Sequence, residues 1–447
     1  MKKLLILITV LAIFSCKTEP KVDYVLLSGK IENPKSDKIN ISGNDFKHEI
    51  AINEDGSFAD TLRIENEGYY SFIHGRDRTS LYTQAGDELK VTLDAAKFDE
   101  TITYEGKDAD KNNYIAAKFL ANEDFDFQKV YAKEEADFLK TIGDAKTKKE
   151  EALTNTKGLS ADFVATEKEN INYEYLANLA RYPNYHPYFA KKTDFKPSET
   201  LLDDLKNINY DDAKAFDLYD SYKEIATSHY MKKIYEDSLM TSSIDLVKGL
   251  KSQNIKNELA TQMAYMLTPS NENSEKLYNA LQTISDKDDF QKELTKKYNK
   301  IKNLVAGKES PKFDYENHKG GKTKLDDLKG KYVYIDVWAT WCGPCLGEIP
   351  SLKKVEAEYH DKNIEFVSVS IDTEKAYKAW KEMVTEKELG GVQVIADNAW
   401  KSKFVTDYAI EGIPRFILID PEGKIVNADA PRPSDPKLIA LFDELKI

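Results

Sequence analysis

The nine residues Val337-Trp338-Ala339-Thr340-Trp341-Cys342-Gly343-Pro344-Cys345 constrain this chain more than any other stretch. Ahead of the cysteines, Tyr332-Val333-Tyr334-Ile335-Asp336-Val337 is short and rich in β-branched and aromatic residues, as a buried strand is. Behind them Leu346, Ile349, Leu352, Val355 and Tyr359 recur every three or four residues, which predicts a helix with one apolar face. Cys342 therefore falls where a helix begins. The free N–H groups and positive dipole end of a helix favour an anion, so the thiolate is stabilised and the thiol pKa moves from ~8.5 towards ~7 or lower. The thiolate is the nucleophile. Cys345, about one helical turn on, can attack the resulting mixed disulfide and release the reduced product.

A Cys-x-x-Cys pair also occurs as half of a zinc site. Structural zinc takes four ligands, whereas the remaining cysteine is Cys16, and His318 and His360 have no ligand spacing to the pair. No metal and no cofactor is expected.

This stretch resembles the active site of thioredoxin-fold proteins, and its extension Cys345-Leu346-Gly347-Glu348-Ile349-Pro350 is similar to the TlpA/ResA-like branch. The resemblance covers roughly residues 310–447. Pro311, Phe313 and Leu325-Asp326-Asp327-Leu328-Lys329-Gly330-Lys331 are similar to that branch's entry segment. Gly412-Ile413-Pro414 is similar to the loop whose proline is cis in this fold, a minority state that serves a tight turn.

The resemblance implies that Ile413 backbone groups lie beside the disulfide and, with Trp341 and Pro414, hold an extended substrate. Asp336, six residues before Cys342, stands in the place of the buried acid that moves the resolving cysteine's proton. Burial would raise its pKa and suit it to that work. The lysine that accompanies this acid in ordinary thioredoxins is replaced, around Ser368. Glu348 matches the branch's active-site glutamate and reads either as a group that shifts thiol pKa values or as a first-turn helix acid. Pro350 predicts a kink.

From its start the chain opens with Met1-Lys2-Lys3 and the apolar run Leu4 to Phe14, which has the form of a secretory leader over residues 1–15. Ile13-Phe14-Ser15-Cys16 resembles a bacterial lipoprotein cleavage box, with Phe14 the departure. That resemblance makes Cys16 the lipidated first residue of the mature protein, on a tether over 16–23, anchored by more than one acyl chain. Of three cysteines, only Cys342 and Cys345 then remain.

Residues 24–106 alternate apolar and polar positions in short bursts between turn residues, which predicts an antiparallel β-sandwich. Residues 107–307 take helical spacing, predicting an all-α region, with Arg181-Tyr182-Pro183-Asn184-Tyr185-His186-Pro187-Tyr188 as a helix-breaking loop. Residues 308–447 alternate strands and helices as an α/β thioredoxin fold requires. A formal net charge of −13 argues against nucleic acid as a partner.

The leading functional reading is a membrane-anchored thiol-disulfide oxidoreductase of the cell envelope, facing the periplasm from either membrane. Gly343-Pro344 resembles the dipeptide of thioredoxin, which is reducing. The resemblance implies disulfide-bonded envelope proteins, cytochrome maturation factors included, as substrates and a membrane thiol transporter as electron donor. Two readings stay open beside it. One is a peroxiredoxin-like peroxide reductase, although that motif has threonine three residues before its cysteine and Thr340 is two before Cys342. The other is a non-catalytic envelope binding protein carrying a thioredoxin-like module.

Overall fold

The computed structural model describes residues 22–43, 46–122, 125–237 and 240–447. The leader, Cys16 and most of the tether lie outside the described residues. Among the described residues no helix is long and apolar enough to cross a membrane. The chain divides into two compact units between Ala226 and Thr227.

The first unit begins with eight strands: β1 Val25–Glu32, β2 Lys38–Gly43, β3 Phe46–Ala51, β4 Ser57–Leu62, β5 Gly68–His74, β6 Asp77–Thr83, β7 Glu88–Asp94 and β8 Thr103–Lys107. They form two four-stranded sheets, ordered β4-β1-β7-β8 and β3-β2-β5-β6. In β7 the alternation of Leu89, Val91 and Leu93 with Glu88, Lys90 and Thr92 turns one face inward and one outward. Buried residues of both sheets, such as Leu27, Val91, Ile41 and Phe72, share one apolar core. The arrangement is not antiparallel throughout, because β1 and β7 run parallel, with Leu27 opposite Leu89 and Ile31 opposite Leu93.

The helices that follow in this unit include Glu135–Asn155 and the long helix Ala161–Phe189. The latter corrects the expectation of a loop at Arg181–Tyr188, since it runs through Pro183 and Pro187. An interior proline costs a helix about 3 kcal/mol. Here Tyr182 and His186, four residues apart on one buried face, offset that cost. Tyr182 stacks on Phe138 at 4.0 Å between ring centroids and donates to the Lys133 carbonyl at 2.8 Å, and His186 Nδ1 donates to the Tyr131 carbonyl at 3.0 Å.

The second unit carries further helices, among them Ser274–Ile284 and Asp288–Ile301, before a seven-stranded sheet. Its strands are β9 Asp314–Asn317, β10 Lys322–Lys324, β11 Tyr332–Trp338, β12 Ile364–Ser370, β13 Val392–Ile395, β14 Arg415–Ile419 and β15 Ile425–Asn427, in the order β10-β9-β13-β12-β11-β14-β15. Central β11 is parallel to β12 and antiparallel to β14. The helices Gly343–Glu358 and Lys437–Glu444 cover one face, where Leu352, Val355, Leu438 and Phe442 pack with Tyr334, Phe366 and Phe416. This α/β arrangement is the thioredoxin fold.

Candidate active site

Side chains alternate along a strand, so Tyr334, Asp336 and Trp338 of β11 share the face covered by the helix Gly343–Glu358. Register extends that row across the sheet. Asp336 lies opposite Phe416 of β14 and Ser368 of β12, and Ser368 lies opposite Gln393 of β13. Register partners present side chains on the same face. An aromatic ring, a carboxyl, a hydroxyl and an amide therefore stand side by side beneath the helix. They border a small internal cavity together with Cys345, Glu356 and Pro414.

The cysteines stand at the head of that helix. Cys342 is its N-cap, Gly343 and Pro344 open its first turn, and the missing proline donor is no loss where the N–H would be unpaired. In this structure Cys342 and Cys345 are joined as a disulfide with Cα atoms 5.3 Å apart. The Cys345 N–H donates to Cys342 Sγ at 3.2 Å. That donor belongs to the first turn of the helix that Cys342 caps. Both cysteines are buried, while Trp341 beside them is 58% exposed.

The approach to Cys342 is pinned by Asp372. Its buried carboxylate accepts from the Thr340 N–H at 2.9 Å, the Thr340 hydroxyl at 2.8 Å and the Ser370 hydroxyl at 2.8 Å. The Ile413–Pro414 peptide bond is cis, as the resemblance implies, and Ile413 is partly exposed.

Asp336 is buried and takes a hydrogen bond from the Ser368 hydroxyl at 2.6 Å. The Gln393 side-chain amide donates in turn to Ser368 Oγ at 3.0 Å and to the Gly390 carbonyl at 2.8 Å, which orients the row. Burial pushes Asp336 up to about 7, against the pull of Ser368 and with the help of nearby Glu356.

Glu348 faces the same cavity, but its carboxylate accepts from the Ser434 N–H at 3.0 Å and hydroxyl at 2.9 Å, with Arg432 Nη1 4.0 Å away. It thus fastens the 432–434 segment to the active-site helix.

Sequence reasoning missed Glu356, Asp372 and Gln393. Glu356 lies eleven residues after Cys345, about three helical turns and hence on the same face, a spacing that could have marked it. Burial raises it also to about 7, with Lys353 opposing. A glycine pair makes room for it. A Cβ at Gly390 would lie 2.4 Å from Glu356 Oε2, and one at Gly391, whose φ is +59°, would lie 2.5 Å from the Phe366 carbonyl oxygen. Asp372 lies just past the carboxyl end of β12, which stops at Ser370, and a polar residue there is a standing candidate for a site. Gln393 carried no such signal.

Among known proteins, residues 305–438 match the Redoxin family. The thiol-disulfide oxidoreductase ResA of a Bacillus cereus strain is 34% identical over 123 residues, covering 28% of this chain and 68% of that relative. ResA of Bacillus subtilis is 31% identical over 124 residues, 28% of this chain and 66% of that protein. A solution structure of a thiol-disulfide oxidoreductase from Bacteroides vulgatus is 51% identical, covering 32% of this chain and 92% of its own, with a TM-score of 0.29. On the similarity to ResA and the Redoxin match, the chain belongs to the ResA-like family of thioredoxin-fold proteins and is a thiol-disulfide oxidoreductase.

Proposed function

We propose that this oxidoreductase is a reductase of protein disulfides in the cell envelope, held to a membrane by lipid on Cys16 and facing the periplasm. The observation that carries the catalytic part is the Cys345 N–H aimed at Cys342 Sγ from the first turn of the helix. A reduced Cys342 would be held as thiolate there by the N–H and the helix dipole. It attacks one sulfur of a substrate disulfide, forming a mixed disulfide and expelling the first substrate thiolate. Cys345 then loses its proton to Asp336 and attacks Cys342 Sγ, expelling the second. Two thiol protons leave the protein and two substrate thiols gain them. A membrane thiol transporter would return the protein to the dithiol.

Exposed Trp341 and the segment Ile413-Pro414 supply the surface for an extended substrate, and Glu348 shapes the helix behind the pair. The leader and Cys16 support the membrane assignment, and Gly343-Pro344 supports the reducing direction. We take residues 24–106 to be a sandwich built on their shared core, 107–307 a helical region and 308–447 the redox domain.

Cys345→Ser tests the cycle, because the mixed disulfide then cannot be resolved. Non-reducing electrophoresis of envelope extracts should show adducts on Cys342 that vanish on reduction and are absent from a Cys342→Ser, Cys345→Ser chain. An extract with no adduct would overturn the reading.

A further inference from the structure

Three carboxyls line the cavity behind Cys345, those of Asp336, Glu348 and Glu356. Its charged or titratable lining is Asp336 from β11 and Cys345, Glu348, Lys353 and Glu356 from the helix. Tyr334 stands two residues along β11. Strands β12 and β13 bring Ser368 and Gln393, the 389–390 loop brings Leu389 and Gly390, and the β14 side brings Pro414 and Phe416, none of them charged. Glu348 is engaged by Ser434, which leaves Asp336 and Glu356 as the acids turned to the cavity.

Two further lining residues each carry a buried polar atom with no partner among the described residues: the Trp338 indole N–H, a donor, and Gln393 Oε1, an acceptor. Both residues are at least nine-tenths buried. The space open to a water centre is ≈ 20 Å³, room for about one molecule, and a buried water takes two to four polar partners. Asp336 and Glu356 line that space beside the two residues whose donor and acceptor are unmet, which is the polar setting a buried water needs.

We propose that Glu356 is the outer member of a two-carboxyl relay, joined to Asp336 through a water in this cavity, that carries the Cys345 proton out to solvent. The inference rests on the Cys342/Cys345 cycle proposed above. When Cys345 attacks Cys342 Sγ, its S–H bond breaks and Asp336 takes the proton. The water accepts that proton as it gives another to Glu356, and partly exposed Glu356 releases it to solvent, where a substrate thiolate is the final acceptor. Glu356 touches neither sulfur. It acts through Asp336, as a positioning residue that keeps the inner acid's affinity for a proton matched to the step. Its own charge is one cause of the raised Asp336 pKa, and the 390–391 glycines admit its carboxyl.

The test uses the reduced full chain and a small aromatic disulfide whose thiol is coloured. Attack by Cys342 releases the first equivalent and attack by Cys345 the second, so the two steps are read separately. In Glu356→Gln the first phase should stay within about twofold of the parent, while the second slows by about tenfold at pH 7, in line with loss of a positioned proton acceptor. Its acid limb should also move to lower pH, because Asp336 loses a neighbouring negative charge. Gly390→Ala, which displaces the Glu356 carboxyl without altering it, should shift the limb the same way. A second phase with the parent's pH profile in both variants would overturn the relay. Absence of the first phase in the parent would overturn the cycle itself.

Discussion

The two units bury acidic groups in opposite ways. In the first, Lys118 bridges Glu167 at 2.6 Å and Glu174 at 2.8 Å, and Lys149 reaches Glu174 from its other side at 2.8 Å. Burial works against ionised Glu174, yet Lys118 and Lys149 outweigh it and hold the carboxyl down at about 2. Lys111 and Asp87 form a second buried pair at 2.8 Å. In the second unit, Asp336 has a hydroxyl where a cation could stand, and burial drives it up to about 7. One side chain chemistry thus serves two ends. Between two lysines Glu174 stays charged across the working pH range and fixes structure; without a cation Asp336 titrates near neutrality, where proton transfer is efficient.

Removing the cation from the first unit breaks that contrast with the largest effect. Lys118→Met leaves Glu167 without its cation and Glu174 with Lys149 alone, and breaking a buried pair on one side costs about 3–5 kcal/mol. Denaturant unfolding should show that loss in the first unit, while the exchange rate at Cys342 and Cys345 stays at the parent's value.

Asp336→Asn has the converse signature. Between about 4 and about 7 the native carboxyl keeps its proton while the unfolded one is ionised, so stability falls as pH rises through that window and stays low above it. The asparagine cannot ionise and should flatten the curve, gaining about 2–4 kcal/mol over the parent at pH 8 and nothing at pH 3.5. The same change should slow resolution by Cys345 about a hundredfold at pH 7. A parallel pH dependence in both proteins would place the Asp336 titration outside that window.

The redox centre was legible because its signals are local. The strand through Val337, the helix face from Leu346 to Tyr359 and the Gly-Ile-Pro loop each fit within a few residues, and the family resemblance tied them together. The remainder depends on partners distant in sequence. Parallel pairing of β1 with β7 joins segments about sixty residues apart, which alternation within either strand cannot reveal. Pro183 and Pro187 sit inside a helix because Tyr131, Lys133 and Phe138 engage the face between them. The hairpin of β9 and β10 escaped notice because Asp314–Asn317 and Lys322–Lys324 are short and polar, although Gly320 and Gly321, with φ of +100° and +70°, supply its turn. Glu356 reads as an ordinary helix surface acid until Gly390 and Gly391, from a loop more than thirty residues on, close over it.

The central claim is that Cys342 and Cys345 form a reducing dithiol. All four tryptophans lie between residues 338 and 400, so their fluorescence reports on the redox unit while the chain is equilibrated against thiol buffers. The account predicts a reversible two-electron transition near about −270 mV, in the range of thioredoxin. A potential near about −120 mV would mark an oxidant, and the absence of any reversible transition would contradict the dithiol cycle altogether.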